Sequence, residues 1–551
     1  MTDITRYRAR FLVLFALLTV PFLRMLIEHS YGWFHVEILV AVLFIATAAA
    51  VLAAIACTPS AFHLLTVGSA VLLSVNTVHV NFFPLTPLSW IMAGLTGLLL
   101  CAVLVLGKNF YQILLIFLLG TSLGDIANVA VDYTDGLSFA QAKRANYDHV
   151  VHIILDEMMS LSAMPPECGE CIRGAAAFQQ TLERGNFQIY PYAFSNYQAT
   201  HDSIPSILNG HILDRTEEYL PTEKVDRPFL HENRYFEKYL ARKYAIRVYQ
   251  SDDILFDSTE YGSVQARTYK ANNLSALHEM HISWLARLKQ LSLVYIRSDR
   301  FWSRLCSELV GFHHQPQRIG PLAAKYVWPD RLLEDFGAAT QNTLFFVHLL
   351  SPHSPYVYRS DGSVRSLADA NSPDNHCGWC WETSKYQQSY RLYGEQVQFL
   401  AGQINRFLDG LKQTGLYDST TIIIHGDHGS RLRLLTLTAQ QLERIRIESA
   451  GFWVSRYDYI DEPELRDLLN RFSTLLAIKL PRSGPPRMVT ETGSVLYFLE
   501  RVFGPWSQPK EYAAVNSVYL FNADGSPRRI PVLDLWRKAG QAIVTNVPVE
   551  E

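Results

Sequence analysis

Five long apolar stretches occupy the start of the chain. They cover residues 11–26, 36–56, 61–80, 88–106 and 110–126. Each approaches the roughly 20 residues that a helix needs to cross a hydrocarbon core of about 30 Å. A cleavable signal peptide followed by buried helices is the alternative, but five successive stretches and the lack of an obvious cleavage site argue against it. The sequence therefore predicts a bundle of five transmembrane helices within residues 1–126.

The basic residues around these stretches predict which way the chain crosses the membrane. Three arginines precede the first stretch, and Lys108 lies just before the fifth. Such residues favour the cytoplasmic side, so an odd number of crossings carries the rest of the chain out of the cytoplasm. We expect a linker at 127–147 and an exported domain at 148–551. The net charge of −3 gives no indication of nucleic-acid binding.

Two Cys-x-x-Cys pairs lie in the expected exported domain, at Cys168 and Cys171 and at Cys377 and Cys380. In a reducing compartment two such pairs would suggest a zinc site. An oxidising compartment retains disulfides, so disulfides are the preferred interpretation of both pairs.

Three apolar runs in this domain have the composition of buried strands, and each ends in carboxylate or imidazole groups. His149–Leu155 stops at Asp156-Glu157, residues 343–350 lead to His353, and residues 422–424 lead to Asp427-His428. A helical pattern with apolar residues spaced by three and four lies between the second and third runs. This order of strand, helix and strand predicts an α/β domain with a doubly wound, mostly parallel sheet.

The short sequence Asp427-His428-Gly429 suggests a metal site. Open α/β sheets bind ligands at the carboxyl ends of their strands, and both side chains are good donors to a divalent metal. A polar turn after a core strand is the alternative interpretation.

The segment 199–210 reads as the start of a helix, with a hydroxyl residue, polar residues, a proline and then a short apolar run. The free N–H groups of such a terminus stabilise an anionic phosphate or sulfate. An ordinary N-cap formed by Thr200 or Ser203 explains the same pattern.

Together these segments resemble the alkaline phosphatase superfamily, and within it the sulfatase-like branch. That branch includes the membrane-bound phosphoethanolamine transferases that act on lipid A and phosphoglycerol transferases of the lipoteichoic acid synthase type. The resemblance covers most of residues 148–455. It implies a multi-pass protein of the bacterial inner membrane with a periplasmic or extracytoplasmic catalytic domain.

The resemblance implies a metal site and a nucleophile. The metal ligands fall on Asp156, Asp427, His428 and Thr200, with Glu157 as a further candidate. Thr200 matches the nucleophile of the transferases. In a competing alignment Ser203 takes that role, but Ile207 stands where the sulfatase motif requires an arginine.

The resemblance also implies residues that bind the substrate. His353 matches a histidine that contacts the substrate phosphate or a second metal, so it is a catalytic candidate as well. His348 and His201 are further candidates. A histidine that the transferases carry after Asp-His-Gly is not apparent here, and Arg431 occupies that region, where it would bind an anionic substrate.

The implied chemistry requires a divalent cation. A threonine hydroxyl is a poor nucleophile at neutral pH, so it needs coordination to a metal to become an alkoxide. Two carboxylates, one imidazole and that oxygen suit Zn²⁺ first, with Mn²⁺, Mg²⁺ and Ca²⁺ as alternatives.

The leading prediction is a metal-dependent transferase that moves phosphoethanolamine or phosphoglycerol through a phospho-threonine intermediate. The donor would be a membrane phospholipid, and the acceptor a cell-envelope glycan or lipid. A membrane-anchored phosphodiesterase or sulfatase, with water as acceptor, is the second hypothesis. A non-catalytic envelope assembly protein is the third.

Overall fold

The chain divides into two compact units. The computed structural model describes residues 34–55, 148–210, 233–251, 264–269, 283–298, 328–366, 383–430, 465–506, 517–521 and 527–531, with single positions elsewhere. Unit 1 comprises Met1–Phe139 and Asn272–Gln317, and unit 2 comprises Ala140–Ala271 and Arg318–Glu551. A segment inside the expected exported domain, residues 272–317, thus belongs to the same unit as the N-terminal region.

The helices and strands of the described residues are numbered in chain order. The helices are α1 Val36–Ile55, α2 Gly169–Arg184, α3 Thr200–Asn209, α4 Arg234–Ala241, α5 Trp284–Ser298, α6 Asp330–Gly337, α7 Thr383–Gln413, α8 Leu465–Phe472 and α9 Val495–Phe503. The strands are β1 His149–Leu155, β2 Gln188–Ile189, β3 Ala193–Phe194, β4 Ala245–Ser251, β5 Val264–Tyr269, β6 Thr343–Leu349, β7 Thr421–Gly426, β8 Leu476–Lys479, β9 Arg487–Met488, β10 Gly493–Ser494, β11 Ser517–Phe521 and β12 Pro527–Pro531.

Helix α1 matches the second apolar stretch of the sequence. Over Val36–Ala54 its mean hydropathy is 2.6, and it is the one helix in the described part of the chain that is long and apolar enough to cross a membrane. The described positions between residues 11 and 26 are helical. The stretches at 61–80, 88–106 and 110–126 lie outside the described residues, so the five-helix bundle stays a prediction.

Unit 2 is a mixed α/β structure built on an eight-stranded sheet in the order β5-β4-β6-β1-β7-β8-β2-β9. The five strands from β5 to β7 in that order are parallel to one another. Strand β8 runs antiparallel to both β7 and β2. The mostly parallel sheet that the sequence predicts is confirmed, and the antiparallel strand β8 inside it is an addition.

Helices cover both faces of the sheet. Successive side chains of a central strand point to opposite faces, and both faces carry apolar residues. Val151 and Ile153 of β1 belong to a core with helices α2, α6 and α7. Val150 and Ile154 belong to a second core with α3, α4 and α9. Side chains alternate across a strand, so a continuous apolar run supplies both cores.

The register of the central strands aligns their carboxyl ends. Leu155 at the end of β1 lies opposite Leu349 of β6 on one side and Gly426 of β7 on the other. The polar residues that follow β1, β6 and β7 therefore meet at one edge of the sheet.

Candidate metal centre

Asp156 and Asp427 meet where β1 and β7 end. The Asp156 N–H continues the ladder by donating to the Leu349 carbonyl at 3.0 Å. The next N–H, that of Glu157, donates to Asp427 Oδ1 at 2.9 Å. Asp156 is 2% exposed and Asp427 is fully buried. The main chain after β1 thus holds the carboxylate that follows β7.

Glu157 has a backbone conformation that non-glycine residues adopt infrequently, with φ at 63°. Such a conformation costs about 1–3 kcal/mol, so the surrounding structure must impose it. Tyr393 of α7 does so: its hydroxyl donates to the Glu157 carbonyl at 2.9 Å and accepts from the Met159 N–H at 3.0 Å. The buried Glu157 carboxylate lies 3.6 Å from His353 Nε2.

The turn after β7 fixes the tautomer of His428. Its Nδ1 lies 2.7 Å from the Gly429 carbonyl, which can only accept, so Nδ1 carries the proton. Nε2 then presents its lone pair to the cluster. Gly429 allows the close approach of α8, because a Cβ there would lie 2.1 Å from the Asn470 carbonyl oxygen.

Thr200 is the first residue of α3, and it reaches this cluster from a separate element. Its Oγ1 lies 3.1 Å from His428 Nε2, and the residue is 9% exposed. The preceding residue, Ala199, has extended backbone angles and supplies no capping side chain. The hydroxyl thus lies at the N-terminus of the helix, where exposed N–H groups favour an anion.

Ser203, one turn further along α3, has a different environment. Its hydroxyl donates to the Asp427 carbonyl and lies 2.9 Å from Ser195 Oγ. This hydroxyl is bound to main chain at the back of the turn, whereas that of Thr200 faces His428. Of the two hydroxyls, that of Thr200 is the one beside an imidazole of the cluster.

The donor set suits a divalent cation. One ligand atom each from Asp156, Asp427 and His428 lie within 4.8 Å of one another. Two buried carboxylates, an imidazole lone pair and a nearby hydroxyl are the N/O donors that zinc and manganese accept. Burial opposes the ionised form of Asp427, but the pKa of its carboxyl is held below the ordinary value by His428 and His348.

The sequence model of the sulfatase family matches residues 149–447, which span all of these groups and more than half of the chain. The chain belongs to the sulfatase family. The family lies within the alkaline phosphatase superfamily, whose enzymes are divalent-metal-dependent hydrolases and transferases. No curated protein shows a significant match to this sequence.

Several solved structures resemble this member of the sulfatase family. The lipoteichoic acid synthase LtaP from Listeria monocytogenes is 13% identical, with a TM-score of 0.38 over 77% of this chain and 99% of that one. The soluble domain of lipooligosaccharide phosphoethanolamine transferase A from Neisseria meningitidis is 11% identical, with 0.36 over 68% and 93%. The periplasmic domain of EcEptC from Escherichia coli, in complex with Zn, is 10% identical, with 0.38 over 71% and 94%.

The structure brings some of the other predicted site residues of this sulfatase-family chain to the cluster. His348 is buried on β6, with Nε2 3.6 Å from Asp156 Oδ2. The side chain of His353 is 31% exposed beside Glu157. The His201 side chain and Arg431 lie outside the described residues.

The first Cys-x-x-Cys pair has a structural role. Cys168 and Cys171 form a disulfide, and Cys168 caps α2 by accepting from the Cys171 N–H at 3.1 Å. The disulfide therefore constrains the first turn of α2. Cys377 and Cys380 lie outside the described residues.

The residues that support the cluster have no signal in the sequence. Asn470 Oδ1 accepts from the hydroxyls of Tyr390 and Ser430, both at 2.7 Å. Tyr390 and Tyr393 belong to the apolar stripe whose spacing predicts α7. Tyrosine in a helical stripe is a signal of burial, and the direction of its hydroxyl has no local sequence signature.

Proposed function

We propose that this chain is a phosphotransferase that uses Thr200 as its nucleophile. It would take a phosphoethanolamine or phosphoglycerol group from a membrane phospholipid and pass it to a glycan or lipid of the cell envelope. The observation that supports this most directly is the 3.1 Å separation between Thr200 Oγ1 and His428 Nε2. That distance places a helix-terminal hydroxyl against a buried N/O donor cluster.

The chain's own residues account for the first half of the reaction. A divalent cation held by Asp156, Asp427 and His428 would supply the nucleophilic form of the Thr200 hydroxyl. Thr200 Oγ1 attacks the phosphorus of the diester, the bond from phosphorus to the glycerol oxygen breaks, and diacylglycerol leaves after taking up a proton. The N-terminus of α3 stabilises the charge on the transferring oxygens.

In this proposal His353 contacts the transferring phosphate. Its Nδ1 is bound to the Ser354 carbonyl, which orients the ring, and its Nε2 faces Glu157 at 3.6 Å. Unlike the buried Asp156 and Asp427, its side chain remains partly exposed. It would therefore meet a substrate that enters from solvent. In the second half of the cycle the acceptor hydroxyl attacks the phosphorus, the bond from phosphorus to Thr200 Oγ1 breaks, and Thr200 takes up the proton that the acceptor loses.

We propose Zn²⁺ as the metal because the cluster includes an imidazole, a ligand that Mg²⁺ and Ca²⁺ use less readily. We also propose that unit 2 lies outside the cytoplasm of a bacterial cell, anchored by several spans in the inner membrane. The helix α1 and the predicted apolar stretches around it support this location.

The test uses the full chain, loaded with Zn²⁺, in vesicles whose phospholipid carries a labelled head group. We expect diacylglycerol to form and label to appear on Thr200, and we expect Thr200→Ala to lose both. Thr181→Ala is the matched control, because it removes another buried threonine hydroxyl, on α2, away from the cluster. If the metal-loaded wild type forms neither product, the proposal fails.

Hydrolysis by the same site is the second candidate, and membership of the sulfatase family favours it. Water would then release the phosphoryl group from Thr200. Free phospho-alcohol that accumulates at the same rate as diacylglycerol, whether or not an acceptor lipid is added, would identify a hydrolase. Transfer that depends on the acceptor would identify a transferase.

A further inference from the structure

Helix α5 belongs to unit 1, although the chain on both sides of it belongs to unit 2. Residues 272–317, which contain α5, group with Met1–Phe139. The chain therefore leaves unit 2 after β5 and returns before α6. A helix whose sequence lies within the expected exported domain is therefore part of unit 1.

An ion pair fastens α5 to the start of α1. Arg287 Nε lies 2.7 Å from Glu37 Oε1, and Nη2 lies 3.2 Å from Glu37 Oε2. Tyr31 donates a third hydrogen bond to Glu37 Oε1 at 2.6 Å. The Glu37 side chain is fully buried in this arrangement. A bidentate arginine fixes orientation as well as distance, so α5 has a defined placement against α1.

The position of Glu37 sets the depth of α5. Glu37 is the second residue of α1, whose apolar length is the length of a membrane crossing. The end of such a helix lies at the level of the lipid head groups. The predicted topology places this end on the extracytoplasmic side, the same side as the sequence that surrounds α5. The position of Glu37 and the predicted topology both indicate that α5 lies at the outer interface of the membrane.

One side of α5 packs inward and another is open. Leu291 is fully buried and Gln290 is 7% exposed. Trp284 and Leu285, at the start of the helix, are 44% and 61% exposed. Lys289 is exposed a turn later. The open side thus combines a large aromatic ring, a large aliphatic side chain and an ammonium group.

The composition of α5 matches an anionic lipid surface. Arg287 is paired with Glu37, but the helix also carries Lys289 and Arg297, and its sequence has no acidic residue. Basic helices that expose tryptophan and leucine lie in the plane of the interface, where the head groups neutralise the charge and the apolar groups leave water. In water, an exposed Trp284 beside Leu285 would have no such compensation.

We propose that α5 is an interfacial helix, with Trp284 and Leu285 inserted among the lipids of the outer leaflet and with anionic phospholipid as its partner. This inference rests on the proposed membrane location of the chain, but not on the proposed transfer reaction. The helix would lie along the lipid surface beside the outer end of α1.

The test is a photo-crosslinking measurement on the full chain in nanodiscs of phosphatidylglycerol and phosphatidylcholine. A diazirine amino acid replaces Leu285 in one protein and Ile172 in another. Ile172 is the matched control, since it is an aliphatic residue that is 40% exposed on α2 of unit 2. After illumination, mass spectrometry identifies what each position has captured. We expect phospholipid adducts at position 285 and not at position 172.

Two further variants test the anchor and the charge. Arg287→Gln should reduce the lipid adducts at position 285, because it releases α5 from Glu37. Lys289→Ala should lower the preference for phosphatidylglycerol over phosphatidylcholine among the adducts by about fivefold. Capture of protein instead of lipid at position 285, no lipid adduct there, or equal lipid adducts at both positions would overturn the proposal.

Discussion

Asp156, Glu157 and Asp427 are three carboxylates buried side by side, none more than 2% exposed. Each lies near an imidazole: His348 and His353 at 3.6 Å from Asp156 and Glu157, and His428 at 3.3 Å from Asp427. A histidine that ligates a metal is neutral, and neutral imidazoles do not offset the cost of removing carboxylates from water, which amounts to several kcal/mol per ion. A bound divalent cation removes that cost, so the cluster and the metal should stabilise one another.

Asp427→Asn should therefore lower the affinity of the protein for Zn²⁺ by about 100-fold or more, because it replaces a charged ligand with a neutral one. Titration calorimetry on the metal-free full chain measures the change. Asp335→Asn is the control, since Asp335 is a buried carboxylate that pairs with Arg267 away from the cluster. Unchanged Zn²⁺ affinity in the Asp427 variant would contradict the assignment of this cluster.

Lys479 makes a separate prediction at the residue scale. Burial lowers the pKa of its amine to about 8, although its Nζ donates to the carbonyls of Tyr417 and Thr420. The unfolded chain binds this proton more tightly than the native state does. The buried ammonium therefore destabilises the native state below pH 8, and this destabilisation decreases as the pH rises above 8. From pH 7 to pH 9 the unfolding free energy of unit 2 should gain about 1 kcal/mol relative to Lys479→Met. Chemical denaturation at both pH values measures it, and an equal pH dependence in the two proteins would contradict it.

At the scale of elements, the ends of β1, β6 and β7 were predictable and their supports were not. An apolar run that stops at Asp156 or Asp427 predicts both a buried strand and the point where it ends, because burial on both faces of a parallel sheet requires such a run. The short strands β2 and β9, of two residues each, have no periodicity to detect. Nor does sequence show that the hydroxyl of Tyr393 holds Glu157 in its left-handed conformation across more than 200 residues of chain.

The turn after β7 should not tolerate a side chain at position 429. Gly429→Ala places a Cβ 2.1 Å from a main-chain oxygen, so either the turn or α8 must move. We expect a loss of about 2–4 kcal/mol in the stability of unit 2, together with weaker Zn²⁺ binding. Chemical denaturation and metal titration measure these effects.

Gly402→Ala provides the control for that substitution. This glycine lies within α7, and a Cβ there meets nothing within 4 Å. The exchange should stabilise unit 2 by up to about 1 kcal/mol, because alanine favours the helix. If both glycine variants shifted stability in the same direction, steric contact would not be the reason that position 429 is a glycine.

At the scale of the whole molecule, the division into units departs from sequence order. The predicted boundaries treat 148–551 as one domain, whereas residues 272–317 group with the N-terminal region. The contact between Glu37 and Arg287 joins positions 250 residues apart. No local sequence pattern around either residue predicts this ion pair. The apolar length of α1, in contrast, is a local property and was predictable.

The proposed location gives a prediction for the intact cell. Protease added to spheroplasts should digest unit 2 while a cytoplasmic marker protein remains whole. The physical basis is the positive charge before the first apolar stretch and the odd number of crossings predicted after it. Immunoblotting against a C-terminal tag follows the cleavage. A tag that survives until the membrane is lysed would place unit 2 in the cytoplasm and contradict the export.

The central claim is that Thr200 carries a phospho-alcohol group during turnover. The most direct measurement is mass spectrometry of the Thr200 peptide from full-length protein purified out of its native membrane. We predict that a fraction of Thr200 carries phosphoethanolamine or phosphoglycerol, and that chelation of the metal during growth removes the modification. A Thr200 that is always unmodified, together with diacylglycerol formation that persists in Thr200→Ala, would contradict the account.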